Sequence, residues 1–431
     1  MSGETGMLQK ILEYELKPAL GCTEPMAFAL CAASARAYAH GAVARIGIEA
    51  SAAMIKGVQY VKIPNSGGRC GGRMACALGA LAGNAADGMQ VFQRVQAEDA
   101  AAAERMIAAG QVRMELKEDV PRLWLRVTVT GSEGTGVAIV QDRHDNVAYL
   151  ESDGNVLRDT RSAAEAEDAP DYGALSVETI WEFCTHAPLA RLARAEEAVR
   201  LNTALSEEGL RQGYGMQTGK TLTESGMLGG GTAMEAVCAG CAGVDARMGG
   251  APLAAMSNSG SGNQGVTCTA PVAAAGRRMG RNHEEIVRAA AAANLLTVFL
   301  KTRAGADEGR IAPVCGAALA AGGAAGGIAM LRRDDADCVE RMLRTVLGNV
   351  CGMVCDGAKA NCAAKAGMAL HGAMQALALA EAGLGADEEC GIVARTAAES
   401  AGNVYRLARE GAGGTDRVLC QIEEEKQGGW R

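Results

Sequence analysis

Between Ile311 and Leu331 the chain carries no charged residue, a run as long as the roughly 20 apolar residues that cross a bilayer. The run is mostly Ala, however, and Gly316, Gly322, Gly323, Gly326 and Gly327 interrupt it. Each glycine weakens a lone helix by about 1 kcal/mol relative to alanine. The run therefore reads as buried protein interior. The same character extends through the chain, where 48% of residues are hydrophobic but only 3% are aromatic. A core with so few rings must be built from closely packed helices with small side chains between them.

With 431 residues the chain can form two or three domains. Its net charge is −8 and no basic stripe appears, which argues against nucleic acid as a partner and leaves a small polar metabolite open. Fifteen cysteines are more than packing calls for and fewer than a disulfide scaffold holds. Residues 1–20 include Glu4, Lys10, Glu13, Glu15 and Lys17, so they lack the apolar centre of a secretory signal. A cytoplasmic location follows as the expectation, with thiols that are reactive or metal-bound rather than bridged. No membrane partner is expected, and the chain is expected to form a homo-oligomer.

The spacing predicts an amphipathic helix over Gln9–Leu20 and an Ala-rich helix from Pro25 to Tyr38, with Thr23 or Glu24 as its cap. Cys22 then stands just ahead of a helix start. That place lowers a thiol's pKa and makes it a usable base or nucleophile; the plain alternative is a cysteine that fills the turn. From Ala42 to Ile63 and from Val112 to Tyr149 apolar residues alternate with period two, as in strands, and Met74–Gly83 and Ala97–Ala109 read as helices between them. Pro64-Asn65-Ser66-Gly67-Gly68 reads as the turn closing the first strand pair. The acidic, Ala-rich stretch Arg158–Tyr172 marks a boundary, and from Val177 onward periodic runs broken by Gly predict about ten helices. Glu423–Arg431 reads as a frayed tail. The expected fold is thus α+β. Residues 1–40 supply N-terminal helices packing on a large all-helical catalytic domain, residues 173–431, and a smaller mixed α/β domain, residues 41–172, is inserted between them.

Two glycine loops resemble nucleotide sites and fail the tests. Gly215-Met-Gln-Thr-Gly219-Lys220-Thr221 has three residues between its glycines where a P-loop needs four. Gly260-Ser-Gly262-Asn-Gln-Gly265 matches the dinucleotide fingerprint by letter, but the residues before it do not read as a strand. The run Met256-Ser257-Asn258-Ser259-Gly260-Ser261-Gly262-Asn263-Gln264-Gly265 is nonetheless a dense set of hydroxyls and amides on a glycine-freed backbone. Such a nest can clamp a carboxylate and an amine, and Arg247 just upstream is the obvious counter-ion.

The stretch Cys351–Lys365 holds Cys355 and Cys362, seven residues apart. On an unbroken helix they would be separated by about 10 Å of rise, too far to share one centre. Asp356-Gly357 offers a break, so that Cys355 can sit in a turn and Cys362 in the first turn of the next helix. Two buried cysteines of no chemical role remain the simpler alternative. Cys238 and Cys241 form a lone Cys-x-x-Cys pair without the second pair that zinc requires, and they read as core with Cys31, Cys76 and Cys351. None of the five histidines has a partner that the sequence reveals.

Four stretches together resemble the L-cysteine desulfidases, iron–sulfur relatives of the bacterial L-serine dehydratase α region. They are Ala19-Leu-Gly-Cys22-Thr-Glu-Pro25, Asp245-Ala-Arg-Met-Gly-Gly250 leading into Ser257–Gly265, Cys315 in its Ala/Gly run, and Cys355-Asp-Gly-Ala-Lys-Ala-Asn-Cys362. The resemblance implies a [4Fe–4S] cluster on Cys315, Cys355 and Cys362 with one open iron, and Cys22 as the proton acceptor. It implies a lyase that degrades L-cysteine to pyruvate, ammonia and hydrogen sulfide, with Arg247, Ser257, Asn258, Ser259, Asn263 and Gln264 orienting the substrate. L-Serine dehydration is the alternative in the same class. A non-catalytic iron–sulfur regulator is the alternative outside it, and the lack of a basic DNA-reading element counts against that role.

Overall fold

Period-two alternation becomes a sheet and the Ala-rich runs become helices in a computed structural model that describes residues 2–20, 22–161, 169–303, 314–411 and 414–427. The chain opens with α1 (Ser2–Glu15), β1 (Leu16–Leu20) and α2 (Thr23–Arg36). A mixed layer follows as β2 (Val43–Ala50), α3 (Ala52–Val58), α4 (Gly72–Leu81), α5 (Ala97–Ala108), β3 (Val112–Leu116), β4 (Trp124–Gly131), β5 (Thr135–Gln141), β6 (Val147–Ser152) and β7 (Asn155–Asp159). Next come α6 (Val177–His186), α7 (Ala193–Arg211), α8 (Thr218–Ser225), α9 (Thr232–Met248), β8 (Ala254–Asn258), α10 (Gly262–Arg278) and α11 (His283–Arg303). The remainder is α12 (Gly316–Arg332), α13 (Ala336–Asn349), α14 (Cys362–Glu381), α15 (Ala397–Arg406) and α16 (Thr415–Gln427). The fold is α+β.

The sheet runs β3-β2-β4-β5-β6-β7, with β2 parallel to β3 and the other neighbours antiparallel. Leu125, Val127 and Val129 of β4 point into a core shared with Phe28, Ala32 and Ala35 of α2. The second N-terminal helix thus lies on the sheet and not on the helical body, where α1 packs. Its Ala-rich faces let it sit between the sheet and α4. The second strand expected before Ile63 is instead the helix α3. Ser51 starts it, accepting a hydrogen bond from the Met54 amide at 3.3 Å.

In the helical body, α12 is buried almost throughout, which accounts for its uncharged run. A Cβ on Gly323 would stand 2.1 Å from Thr297 Oγ1 and 2.4 Å from Ala293 O. Only glycine lets α12 approach α11 this closely. Residues 311–313 of the run lie outside the described residues. Among the described residues no helix is long and apolar enough to cross a membrane.

Two segments tie the layers together. The helix expected over Gln9–Leu20 stops at Glu15, because Pro18 cannot continue it. The chain becomes β1, which pairs antiparallel with β8 from Leu16↔Asn258 to Leu20↔Ala254. At the other end α16 returns to the mixed layer, where Asp416 meets Lys56 of α3 at 2.6 Å and Cys420 donates to Ala52 O. Glu423, expected in a frayed tail, is buried and pairs with Lys359 at 2.6 Å. Residues 428–431 lie outside the described residues.

Candidate functional site

Because β8 is held by β1, the polar run lies inside the protein. Contrary to the sequence reading, the fingerprint glycines do follow a strand and open a helix, but that strand belongs to a two-stranded antiparallel ribbon and not to a parallel βαβ unit. A Cβ on Gly265 would fall 2.1 Å from Met256 O, so α10 rests directly on the strand.

Ser257, Asn258, Ser259 and Gln264 are all buried, and much of their hydrogen bonding is spent within the protein. Ser257 Oγ donates to Lys17 O at 2.6 Å, and Asn258 Nδ2 donates to Asn294 O at 3.1 Å. Ser259 Oγ donates to Asn258 Oδ1 at 2.9 Å. These three side chains set the shape of the loop. Arg247, also buried, donates to Asn263 Oδ1 at 2.7 Å. The Gly215–Thr221 loop does not present its amides to a ligand: those of Met216 and Gly219 donate to Asp245.

Cys22 itself is the N-cap of α2, where Thr23 or Glu24 was expected, and its side chain makes no capping bond. Its thiol donates to Glu24 Oε2 at 2.8 Å. Burial, and then the Glu24 charge, push the thiol well above its ordinary pKa, with Arg247 opposing. The acidified thiol expected at a helix start is therefore corrected. Desolvation and an adjacent carboxylate outweigh the partial charge of the helix end. Burial also works against ionisation of Glu24, but His144, the thiol hydrogen bond and Arg247 hold this carboxyl below its usual range.

The late cysteines come from two segments joined by a bridge between Val314 and Val354 and by the Cys315 amide donating to Met353 O at 2.9 Å. Gly357, with φ +92°, turns the chain after Cys355, and Cys362 opens α14 as the spacing suggested. The Lys359 amide donates to Cys362 Sγ at 3.4 Å. Lys56 Nζ donates to Cys355 O at 2.9 Å, so α3 of the mixed layer supports this turn.

Cys22, Cys315, Cys355 and Cys362 belong to one apolar cluster with Val61, Val244, Met248, Val266 and Ala363. The polar loop borders it: a Cβ on Gly316 would lie 2.6 Å from Gln264 Oε1. The N-termini of α2, α12 and α14 open into this cluster, and that of α10 carries the bordering loop. Their partial positive charges oppose, without overcoming, the burial that raises the Cys22, Cys315 and Cys362 thiols. Burial and then the neighbouring Cys355 push the Cys315 thiol up to about 12, so the late thiols sense one another. Among the described residues, no three His, Cys, Asp or Glu side chains close on a single metal ion. Cys315, buried at the N-cap of α12, with the half-buried Cys355 in its turn and Cys362 at the start of α14, is a thiol set of the kind that suits a cluster, in which each thiolate takes a different iron.

The family model described as serine dehydratase alpha chain matches residues 86–421. The chain belongs to that family. It is 37% identical over 425 residues to a UPF0597 protein of Oleidesulfovibrio alaskensis, covering 97% of each chain. It is 36% identical over 426 residues to the UPF0597 protein YhaM of Salmonella typhimurium, covering 96% of each. Within this serine dehydratase-like frame, three residues were not singled out by sequence reasoning for what they do here. Glu24 was visible beside Cys22 but read as a cap. His144 comes from the β5–β6 turn and Lys56 from α3, and neither carries a local signal of its neighbours.

Proposed function

We propose that this protein is an iron–sulfur-dependent β-eliminating lyase that degrades L-cysteine to pyruvate, ammonia and hydrogen sulfide. The observation that carries this reading is the gathering of Cys22 with Cys315, Cys355 and Cys362 in one apolar cluster beside a polar loop. Membership of the serine dehydratase alpha-chain family supports elimination from a small amino acid.

Cys315, Cys355 and Cys362 would hold a [4Fe–4S] cluster with an open iron, which when bound supplies a Lewis acid for the substituent on Cβ. Arg247 binds the substrate carboxylate, and Asn263 and Gln264 orient it together with the amine. Ser257, Asn258 and Ser259 keep the loop in place. The Cys22 sulfur takes the Cα proton. The surrounding apolar side chains exclude water while the enamine forms; once released, it tautomerises and hydrolyses to pyruvate and ammonia. A sulfur substituent is a softer donor than a hydroxyl for an iron held by thiolates, which favours L-cysteine. L-Serine dehydration is the second reading, favoured by the description of the matching family.

Protein purified without oxygen, with its iron counted, is assayed with both amino acids. Equal sulfide and pyruvate from L-cysteine, lost in Cys22→Ala at unchanged iron content, is the expected result. Pyruvate from L-serine alone would establish the dehydratase. No product from either substrate at full iron content would overturn both and leave a regulator.

A further inference from the structure

The reaction asks a sulfur to accept a proton, yet that sulfur already carries one. Cys22 is buried and its thiol donates to Glu24 Oε2 at 2.8 Å, an atom that also accepts from Thr23 Oγ1 at 3.2 Å. A resting thiol cannot serve as a base until its own proton has a destination. The geometry supplies one destination.

We propose that Glu24 acts through Cys22 as its proton-accepting partner, the carboxylate being the resting base and the sulfur the atom that meets the substrate. This rests on the reading of Cys22 given above. The Cys22 S–H bond breaks and an O–H bond forms on Glu24 Oε2, leaving the electron pair on sulfur. That pair then takes the Cα proton. The Cα–H electrons become the Cα–Cβ double bond, and the Cβ–S bond breaks with its pair on the departing sulfide. The proton on Glu24 leaves with the hydrogen sulfide, and the carboxylate and thiol are restored. No oxidant or reductant enters.

The surroundings of Glu24 suit this task. Burial favours a proton on Glu24, while His144, from the turn after β5, the Cys22 hydrogen bond and Arg247, from α9, keep it ionised at rest, as a resting base must be. From α3, Gly57 leaves room for the side chain, since a Cβ there would stand 2.9 Å from Glu24 Cγ. The neighbouring Lys56 directs its ammonium elsewhere, to Cys355 O and Asp416. A cavity of about 40 Å³ bordered by Thr23, His144, Lys17 and Ser257 lies beside this segment.

The test uses the full-length protein with its iron counted, comparing Glu24→Gln, Glu24→Asp and Cys22→Ala. Glu24→Gln should lower kcat by about 100-fold or more, the usual worth of a positioned proton acceptor, with KM little changed and iron content that of the wild type. In the same variant iodoacetamide should modify Cys22 faster, as read by peptide mass spectrometry on iron-free protein, because the charge that raises the thiol is gone. The midpoint of the pH dependence of Cys22 alkylation should fall while the buried Cys31 and Cys268 stay as slow as in the wild type, a combination that mere loss of structure would not give. Glu24→Asp, which keeps a carboxylate, should recover part of the rate and retain the fall in kcat/KM on the acid side as the carboxylate protonates. Glu24→Gln with wild-type kcat, or with slower kcat but unchanged Cys22 alkylation, overturns the proposal. Full turnover in Cys22→Ala would instead overturn the underlying role of Cys22.

Discussion

Asp416→Ala removes the carboxylate through which the last helix grips the cysteine turn. Lys56 is 1% exposed, and its Nζ lies 2.6 Å from Asp416 Oδ1 and 2.9 Å from Cys355 O. Arg122 pairs with the other carboxylate oxygen. Without Asp416 a buried ammonium keeps only a backbone carbonyl. Breaking a buried pair by deleting one partner costs about 3–5 kcal/mol, more than the same pair contributes against an apolar replacement. The lower end applies here, because Lys56 retains the Cys355 carbonyl and Arg122, with a side chain 28% exposed, can turn to water. At about 1 °C per kcal/mol for a chain of 431 residues, a loss near 3 kcal/mol lowers Tm by roughly 3 °C. Thermal unfolding followed by circular dichroism measures it. The double variant Lys56→Met, Asp416→Leu should recover about half of the loss, since no charge remains stranded between those positions. A Tm within about 1 °C of wild type, about 1 kcal/mol or less, for Asp416→Ala would refute the view that the buried ion pair anchors this turn.

Three further outcomes can be measured directly. Replacing Cys315, Cys355 or Cys362 singly by Ser should sharply reduce the iron retained after anaerobic reconstitution, whereas Cys351→Ser, in the core nearby, should leave it unchanged. Gly265→Ala should destabilise by about 1–3 kcal/mol in denaturant melts, because its Cβ would overlap Met256 O at 2.1 Å and push α10 off β8. Burial pushes the Cys31 and Cys268 thiols up to about 12, so both stay protonated as pH rises to 8. Brief iodoacetamide treatment of the folded protein at that pH should mark the exposed Cys70 and Cys390 first, as read by peptide mass spectrometry.

What the sequence determined by itself is local. The uncharged Ala/Gly run specified a helix that only a crowded interior could accept, and the alternating segments around β4 and β5 specified strands. The break at Asp356-Gly357 placed Cys362 at the first turn of α14, because a positive φ at glycine is a property of one residue and its neighbours. What the tertiary structure decided is every property that depends on partners distant in the chain. Whether residues 16–20 are helix or strand was settled by β8, which offers a ladder that a proline-containing helix lacks. Whether Cys22 rests as thiol or thiolate was settled by burial and Glu24, with Arg247 opposing, and not by the helix end beside it. Desolvation and Coulomb interaction act through space, and they outweighed the local rule once the chain had closed around that sulfur.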